Sequence, residues 1–223
     1  MNQRLAVFDC DGTLADGEAN ICRAMESAYA GAGLVAPSRV AIRRIVGLSL
    51  VEAVAVLAPD GDEALHHALA ADYKTAFQRM RLAGELEVEP LYDGLVAVLD
   101  ALMSDGWRLG VATGKSDRGL DHLLAHHGLS DRFVTLQTAD RHPSKPHPAM
   151  LEAAMAQAGV APHMTVMIGD TSYDMAMARA AGARAVGVSW GYHDAATLRD
   201  AGAEAIADDA AALLACLAQA VPA

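Results

Sequence analysis

Cysteine is scarce in this chain: Cys10, Cys22 and Cys216 are the only three in 223 residues, and they lie far apart. So few and so scattered, they point to reduced thiols and against a disulfide framework or a zinc site. Positive charge is scarce as well, with 17 Lys and Arg against 28 Asp and Glu, a formal net charge of -11. A phosphate-backbone partner or an anionic membrane surface would call for clustered Lys and Arg, so neither nucleic acid nor membrane is expected. A small anionic substrate would need a local positive site. Long apolar runs are missing, and the start carries no basic segment leading into one, which sets the expectation of a cytoplasmic protein. Internal repeats and low-complexity tracts are absent too. What remains is 53% hydrophobic residues, enough for a sizeable core in one large domain or in a core with a smaller inserted one.

The chemistry concentrates first at residues 4–16. Leu5, Ala6, Val7 and Phe8 form a short apolar run that stops at Asp9-Cys10-Asp11-Gly12. Such a run reads as a buried parallel strand delivering its C-terminal end to a polar site. Side chains alternate along a strand, so Asp9 and Asp11 project to one side with Cys10 turned away as a small core residue, while Gly12 permits a sharp turn. Two carboxylates in one small volume suit metal binding, or a division of labour between a nucleophile and a proton carrier.

Helical patterns occupy the next stretch. Ile21, Met25 and Tyr29 recur at four-residue spacing before Gly31 and Gly33, with Asp16 placed to cap this helix. A second helix is expected from Pro37 and Ser38 to Gly47. A third is expected from the capping-box string Ser49-Leu-Val-Glu52 to Pro59. A fourth runs from about Asp62 to Gly84 with Leu65, Leu69, Tyr73 and Phe77 on one packing stripe. About seventy helical residues therefore interrupt the chain after its first strand, which predicts a helical cap at 16–83 inserted into a core made of 1–15 and 84–223. Beyond it helices and strands alternate. Helices are expected at Gly94–Ser104, up to Gly128, Pro148–Gly159 and Asp174–Ala181, and at the Ala/Leu-rich end. Strands are expected at Trp107–Ala112, Phe133–Leu136, Met164–Ile168, Ala185–Val188 and Ala205–Ala207. Strands joined by single-helix crossovers predict an α/β fold, a doubly wound parallel sheet with its site at the strands' C-terminal ends.

Further polar positions fall at those ends. Thr113 offers a hydroxyl and Gly114 an accessible amide, both donors suited to a phosphoryl oxygen. Lys145, fixed among prolines in Ser144-Lys-Pro-His-Pro148, is placed to hold a phosphate, with His147 as a neighbour that could shape the loop. Asp170 and Asp174 leave the strand Val166–Ile168 four residues apart and could both face a cation, and Mg²⁺ suits such oxygen donors. His122 and His126 have helical spacing but lack a third ligand in a matching motif, which argues against zinc. Arg43 and Arg44 are candidates for gripping an anionic substrate tail.

Asp-x-Asp-Gly-Thr-Leu-x-Asp at 9–16, Thr113, Lys145-Pro-x-Pro148 and Gly-Asp170-x-x-x-Asp174, in that order with a helical insert after the first, resemble the four motifs of the haloacid dehalogenase-like superfamily. Its phosphoglycolate-phosphatase-like members are the most similar, and the string Val46-Gly-Leu-Ser-Leu-Val-Glu-Ala53 resembles part of their cap. The resemblance implies a Mg²⁺-dependent phosphatase acting on a small phosphorylated metabolite. It implies Asp9 as nucleophile, Asp11 as general acid/base, and Thr113, Gly114 and Lys145 as the phosphate site. Asp9, the Asp11 backbone carbonyl, Asp170 and Asp174, the last directly or through water, would be metal ligands. A sugar-phosphate mutase of the same superfamily is the alternative. A dehalogenase fits poorly with Asp11 and the acidic fourth motif, and a phospho-aspartate receiver module fits poorly with a nucleophile on the first strand and with the insert. The sequence leaves oligomeric state and physiological ester open.

Overall fold

Leu5 to Phe8 are fully buried in the computed structural model, which describes residues 3–221. They belong to β1 (Arg4–Phe8), the strand around which the sheet is laid. The other strands are β2 (Trp107–Thr113), β3 (Thr135–Thr138), β4 (Thr165–Gly169), β5 (Arg184–Val188) and β6 (Ala205–Ala207). They form one six-stranded sheet in the order β3-β2-β1-β4-β5-β6, and every pairing is parallel. Between β1 and β2 come α1 (Glu18–Gly31), α2 (Arg39–Ile45), α3 (Leu50–Leu57), α4 (Glu63–Ala83) and α5 (Leu95–Ser104). The later crossovers are α6 (Asp117–His126), α7 (Ala149–Ala158), α8 (Ser172–Ala180) and α9 (Ala195–Ala201), with α10 (Ala210–Ala220) at the end. The expected α/β architecture, a doubly wound parallel sheet with an inserted helical cap, is the one observed.

The period-two alternation of the strands decides which helices cover which face. Ala6 and Phe8 pack with Leu109, Val111 and Ile168 beneath α5, α6 and α10, whereas Leu5, Val7 and Met167 face α7, α8 and α9. The strand order reverses between β1 and β4, so the crevice at their C-terminal ends is the place where this fold collects ligands. In the insert, Ile21, Met25, Tyr29, Ile42, Val54 and Leu69 form a separate small core. Hydrophobic burial thus divides the molecule into two packed bodies.

Local departures from the expected elements have local causes. β3 begins two residues late, because the chain first makes a short turn at Ser130–Arg132 and then aligns Thr135 with Gly110 of β2. It also runs on past Leu136, where polar Gln137 reads as loop, yet Thr135 and Gln137 are both buried and satisfied by Gln157 of α7. α8 starts at Ser172, ahead of Asp174, because Thr171 is the N-cap and Asp174 sits at the third helical position in a reciprocal capping box. The box read at Ser49 and Glu52 does not form: Ser49 makes no side-chain cap, and its backbone N–H donates instead to Ser144 Oγ at 2.7 Å.

Candidate active site

Asp9 follows β1 directly, and its backbone N–H still pairs with Ile168 O at 2.9 Å. Gly12 then turns the chain with φ +84°, and a Cβ there would lie 2.2 Å from Asp170 Oδ2. Both the backbone angle and the close approach require glycine. Asp9 Oδ1 accepts from Cys10 N at 2.7 Å and is paired with Lys145 Nζ at 2.9 Å. Its other oxygen, Oδ2, is buried with no hydrogen-bond partner.

Asp170 leaves β4 beside it. Its Oδ1 accepts from the Thr13 hydroxyl at 2.7 Å, and its Oδ2 from the Tyr192 backbone N–H at 2.9 Å. Asp174 uses Oδ2 to accept from Thr171 Oγ1 at 2.6 Å and from Thr171 N at 3.2 Å, while its Oδ1 meets Lys145 Nζ at 2.7 Å. Each of Asp9, Asp170 and Asp174 offers an oxygen within 4.8 Å of the others.

Three buried carboxylates around one buried ammonium leave two negative charges uncompensated. In so dry a site, unpaired charge costs on the order of several kcal/mol. Without a cation the cluster answers by holding protons. Burial lifts the Asp9 carboxyl from 3.8 to about 7, with Lys145 opposing and Asp174 adding to the rise. Asp170 is driven well above the usual carboxylate range by burial and by Asp9 and Asp174. Burial opposes the charge on Lys145 too, but Asp174 and Asp9 outweigh it and keep the ammonium protonated. A divalent cation fits the charge deficit and the all-oxygen donor set.

Asp11 goes elsewhere. Its Oδ1 accepts from Lys115 Nζ at 2.8 Å, and Lys115 also meets Glu89 Oε2 at 3.1 Å. The expected shared volume with Asp9 is thereby divided, because this ion pair draws Asp11 to the cap side while Asp9 joins the Asp170 cluster. Thr113, buried at the end of β2, accepts from Lys115 N–H through Oγ1, which leaves its hydroxyl hydrogen available. Gly114 lies against the cap loop: a Cβ on it would meet Leu48 O at 2.7 Å and Gly47 O at 2.8 Å. Gly47 in turn overhangs Asp9, since a Cβ on it would stand 3.8 Å from Asp9 Oδ2.

The remaining candidates separate. Cys10 is fully buried in the main core, and Asp16 Oδ1 accepts from Glu18 N at the start of α1. His147 Nδ1 accepts from Ala149 N, capping the turn beside Lys145. Arg43 pairs with Glu18 at 3.4 Å and stacks over Tyr192, and Arg44 offers only its carbonyl, to Tyr173 and His193. Neither arginine lines the cavity of about 920 Å³ that opens between cap and core. His122 and His126 do line it and are not part of the Asp9, Asp170 and Asp174 cluster. Lys115 and Glu89 were not anticipated. Lys115 was legible as the next residue of the Thr113-Gly114 loop, whereas Glu89 acquires its place only when the insert returns to the core.

This chain belongs to the haloacid dehalogenase-like hydrolase family, whose model matches residues 6–188. Its relatives put it in the phosphoglycolate-phosphatase-like subgroup. It is 35% identical over 207 residues to IndB of Dickeya dadantii, described as a probable phosphatase, covering 92% of this chain and 89% of that one. It is 32% identical over 219 residues to the phosphoglycolate phosphatase of Rhodospirillum rubrum, covering 94% and 89%. The crystal structure of a predicted phosphatase from Clostridium acetobutylicum superposes with a TM-score of 0.87 at 23% identity, over 98% of this chain and all of the other. Among the described residues, no helix is long and apolar enough to cross a membrane.

Proposed function

We propose that the chain is a Mg²⁺-dependent phosphoric monoester hydrolase that acts on a small phosphorylated metabolite, phosphoglycolate or a related acid, through a phosphoenzyme on Asp9. The observation that carries this reading is Asp9 Oδ2, a buried carboxylate oxygen without a partner at the end of the central strand. In the first half-reaction Oδ2 attacks phosphorus, the bond to the leaving oxygen breaks, and Asp11 gives that oxygen its proton. In the second, Asp11 takes a proton from water, the water oxygen attacks the phosphorus, and the bond to Asp9 breaks with its electrons returning to the carboxylate. Thr113, the Gly114 amide and Lys145 hold phosphoryl oxygens. Lys145, already between Asp9 and Asp174, limits the repulsion that a dianion meets there.

Mg²⁺ would be held by Asp9, the Asp11 carbonyl and Asp170, and when bound it supplies charge neutralisation at the phosphoryl group. Asp174, whose oxygens already serve Thr171 and Lys145, would reach it through water. Residues 16–83 act as the cap and the remainder as the core. Three free cysteines suit the reducing cytoplasm, where we place the protein. The relatives' names support a phosphorylated acid as substrate.

The test is phosphate release from a panel of small esters that includes phosphoglycolate and a hexose phosphate. Release is expected with Mg²⁺, to vanish in excess chelator and to return when Mg²⁺ is added back, while Ca²⁺ inhibits. Undiminished release in chelator would sink the metal assignment. A hexose phosphate isomerised faster than it loses phosphate would make the chain a mutase.

A further inference from the structure

The cap–core cavity carries a set of polar and basic side chains that the hydrolytic steps leave unused. One wall is α4 of the cap, where Lys74, Gln78 and Arg81 share a face at helical spacing. The other is α6 of the core, where Arg118, His122 and His126 do the same. At about 1.5 Å per residue these rows run roughly 10 to 12 Å along the cleft. Asp11, Gly114 and Lys115 line the same cavity, as does Gly47, on which a Cβ would stand 3.8 Å from Asp9 Oδ2, so the cavity reaches the edge of the proposed reaction site.

The two arginines are poorly partnered for a protein with so many acids. Among the described residues, neither Arg81 nor Arg118 has a carboxylate within salt-bridge distance, and Arg81 Nε is buried with no hydrogen-bond partner at all. Glu89, the acid that acts on Arg81, is already engaged by Lys115 at 3.1 Å. Burial and the charge of Arg118 both push the Arg81 guanidinium down, with Glu89 opposing. An unsatisfied guanidinium facing a like charge is the arrangement a carboxylate or phosphate resolves, since one such group can accept from both forks.

The cavity's size adds a second constraint. At about 920 Å³ it lies near the top of the roughly 300–1,000 Å³ range of small-molecule sites, and a two-carbon ester would occupy a minor part of it. Ile21, Met25 and Phe77 line it as well, an apolar lining suited to a carbon spacer. Building on the proposed phosphatase reading, we infer that Arg81 and Arg118 form a clamp for a second anionic group on the substrate. The substrate is then a phosphate monoester whose far end carries a carboxylate or phosphate, separated from the ester by a spacer longer than two carbons, which selects a longer related acid over phosphoglycolate itself.

Binding tests this without turnover. Calorimetry would compare a series of ω-carboxyalkyl phosphonates with their methyl-terminated counterparts on the wild-type protein, on Arg81→Gln and on Arg118→Gln. Arg118 is exposed, so its variant keeps the test sound even if Arg81→Gln is perturbed in folding. On the wild type the carboxylate should improve affinity by at least about tenfold at a spacer of three carbons or more. Each variant should bring that ratio close to one. Arg118→Glu should reverse the preference towards an ω-amino terminus. Equal affinity for carboxylated and methyl-terminated members at every length, or an unchanged ratio in Arg118→Gln, would overturn the clamp. A best fit at one carbon would overturn the long spacer. The same ratios in kcat/KM, read on the corresponding phosphate esters, report separately on hydrolysis: loss of turnover with the binding ratios intact counts against the phosphatase reading and leaves the clamp standing.

Discussion

At Asp9, two jobs compete for one side chain. Oδ1 is spent on the Cys10 amide and Lys145, and only Oδ2 is left to meet a substrate or an ion. Because the metal-free fold lifts this carboxyl from 3.8 to about 7, chiefly by burial, it keeps a proton that the unfolded chain gives up near pH 4. Its contribution to stability is therefore complete below about pH 4 and is lost as the pH rises to 7. In chelator, urea midpoints of the wild type measured against Asp9→Asn should fall across that window, and Mg²⁺ should abolish the fall by supplying the missing positive charge. A difference that stays flat, or grows, from pH 4 to 7 would contradict the charge deficit assigned to the cluster.

At the scale of elements, the loop between α2 and α3 governs how the cap meets the core. Gly47 and Leu48 set their carbonyls against Gly114, and the Ser49 amide is held by Ser144 Oγ of the loop that carries Lys145. Gly114→Ala would push a methyl into those carbonyls at less than 3 Å, although Gly114 has no left-handed backbone angle to lose. The cap loop must move, while the core can stay folded. The expected outcome is a drop of about 10- to 100-fold in kcat/KM with little change in the unfolding midpoint. A variant of wild-type activity would show that this contact has no part in closure.

The same elements explain what was readable beforehand. Strand ends at Asp9, Thr113 and Asp170 announced themselves because an apolar run stopping at polar residues is a local pattern. The stripe of α4 is readable for the same reason, as its Leu69 is fully buried with Leu65 and Tyr73 packed against the same cluster, while Phe77 packs against Ala24, Ala76 and Met80. The strand expected at Phe133–Leu136 is displaced to Thr135–Thr138, because Thr135 and Gln137 are buried against Gln157, about twenty residues on, a partner that leaves no local sign. The capping box at Ser49 does not form because a long-range partner, Ser144, takes the amide that sequence assigns to a local bond. Glu89 and Arg81 carry no local signal, since each gains meaning only from a side chain on the opposite body.

Over the whole molecule, the sheet fixes one set of groups and the insert brings the other. β1 and β4 deliver Asp9 and Asp170 to the switch in strand order and the first turn of α8 adds Asp174, whereas Asp11 answers through Lys115 to Glu89, on the segment that returns from the cap. The proposed reaction needs both acids in sequence, Asp9 to carry the phosphoryl group and Asp11 to move protons. The most direct test is the mass of the peptide containing Asp9 after acid quench of Asp11→Asn with an aryl phosphate, whose leaving group needs little protonation. Removal of a general acid/base typically costs about 10²–10⁴ in rate. Formation of the intermediate should survive better than its hydrolysis, so phosphate should accumulate on Asp9 and be absent from Asp9→Asn. An adduct on another residue, or wild-type turnover by Asp11→Asn with nothing trapped, would contradict the account.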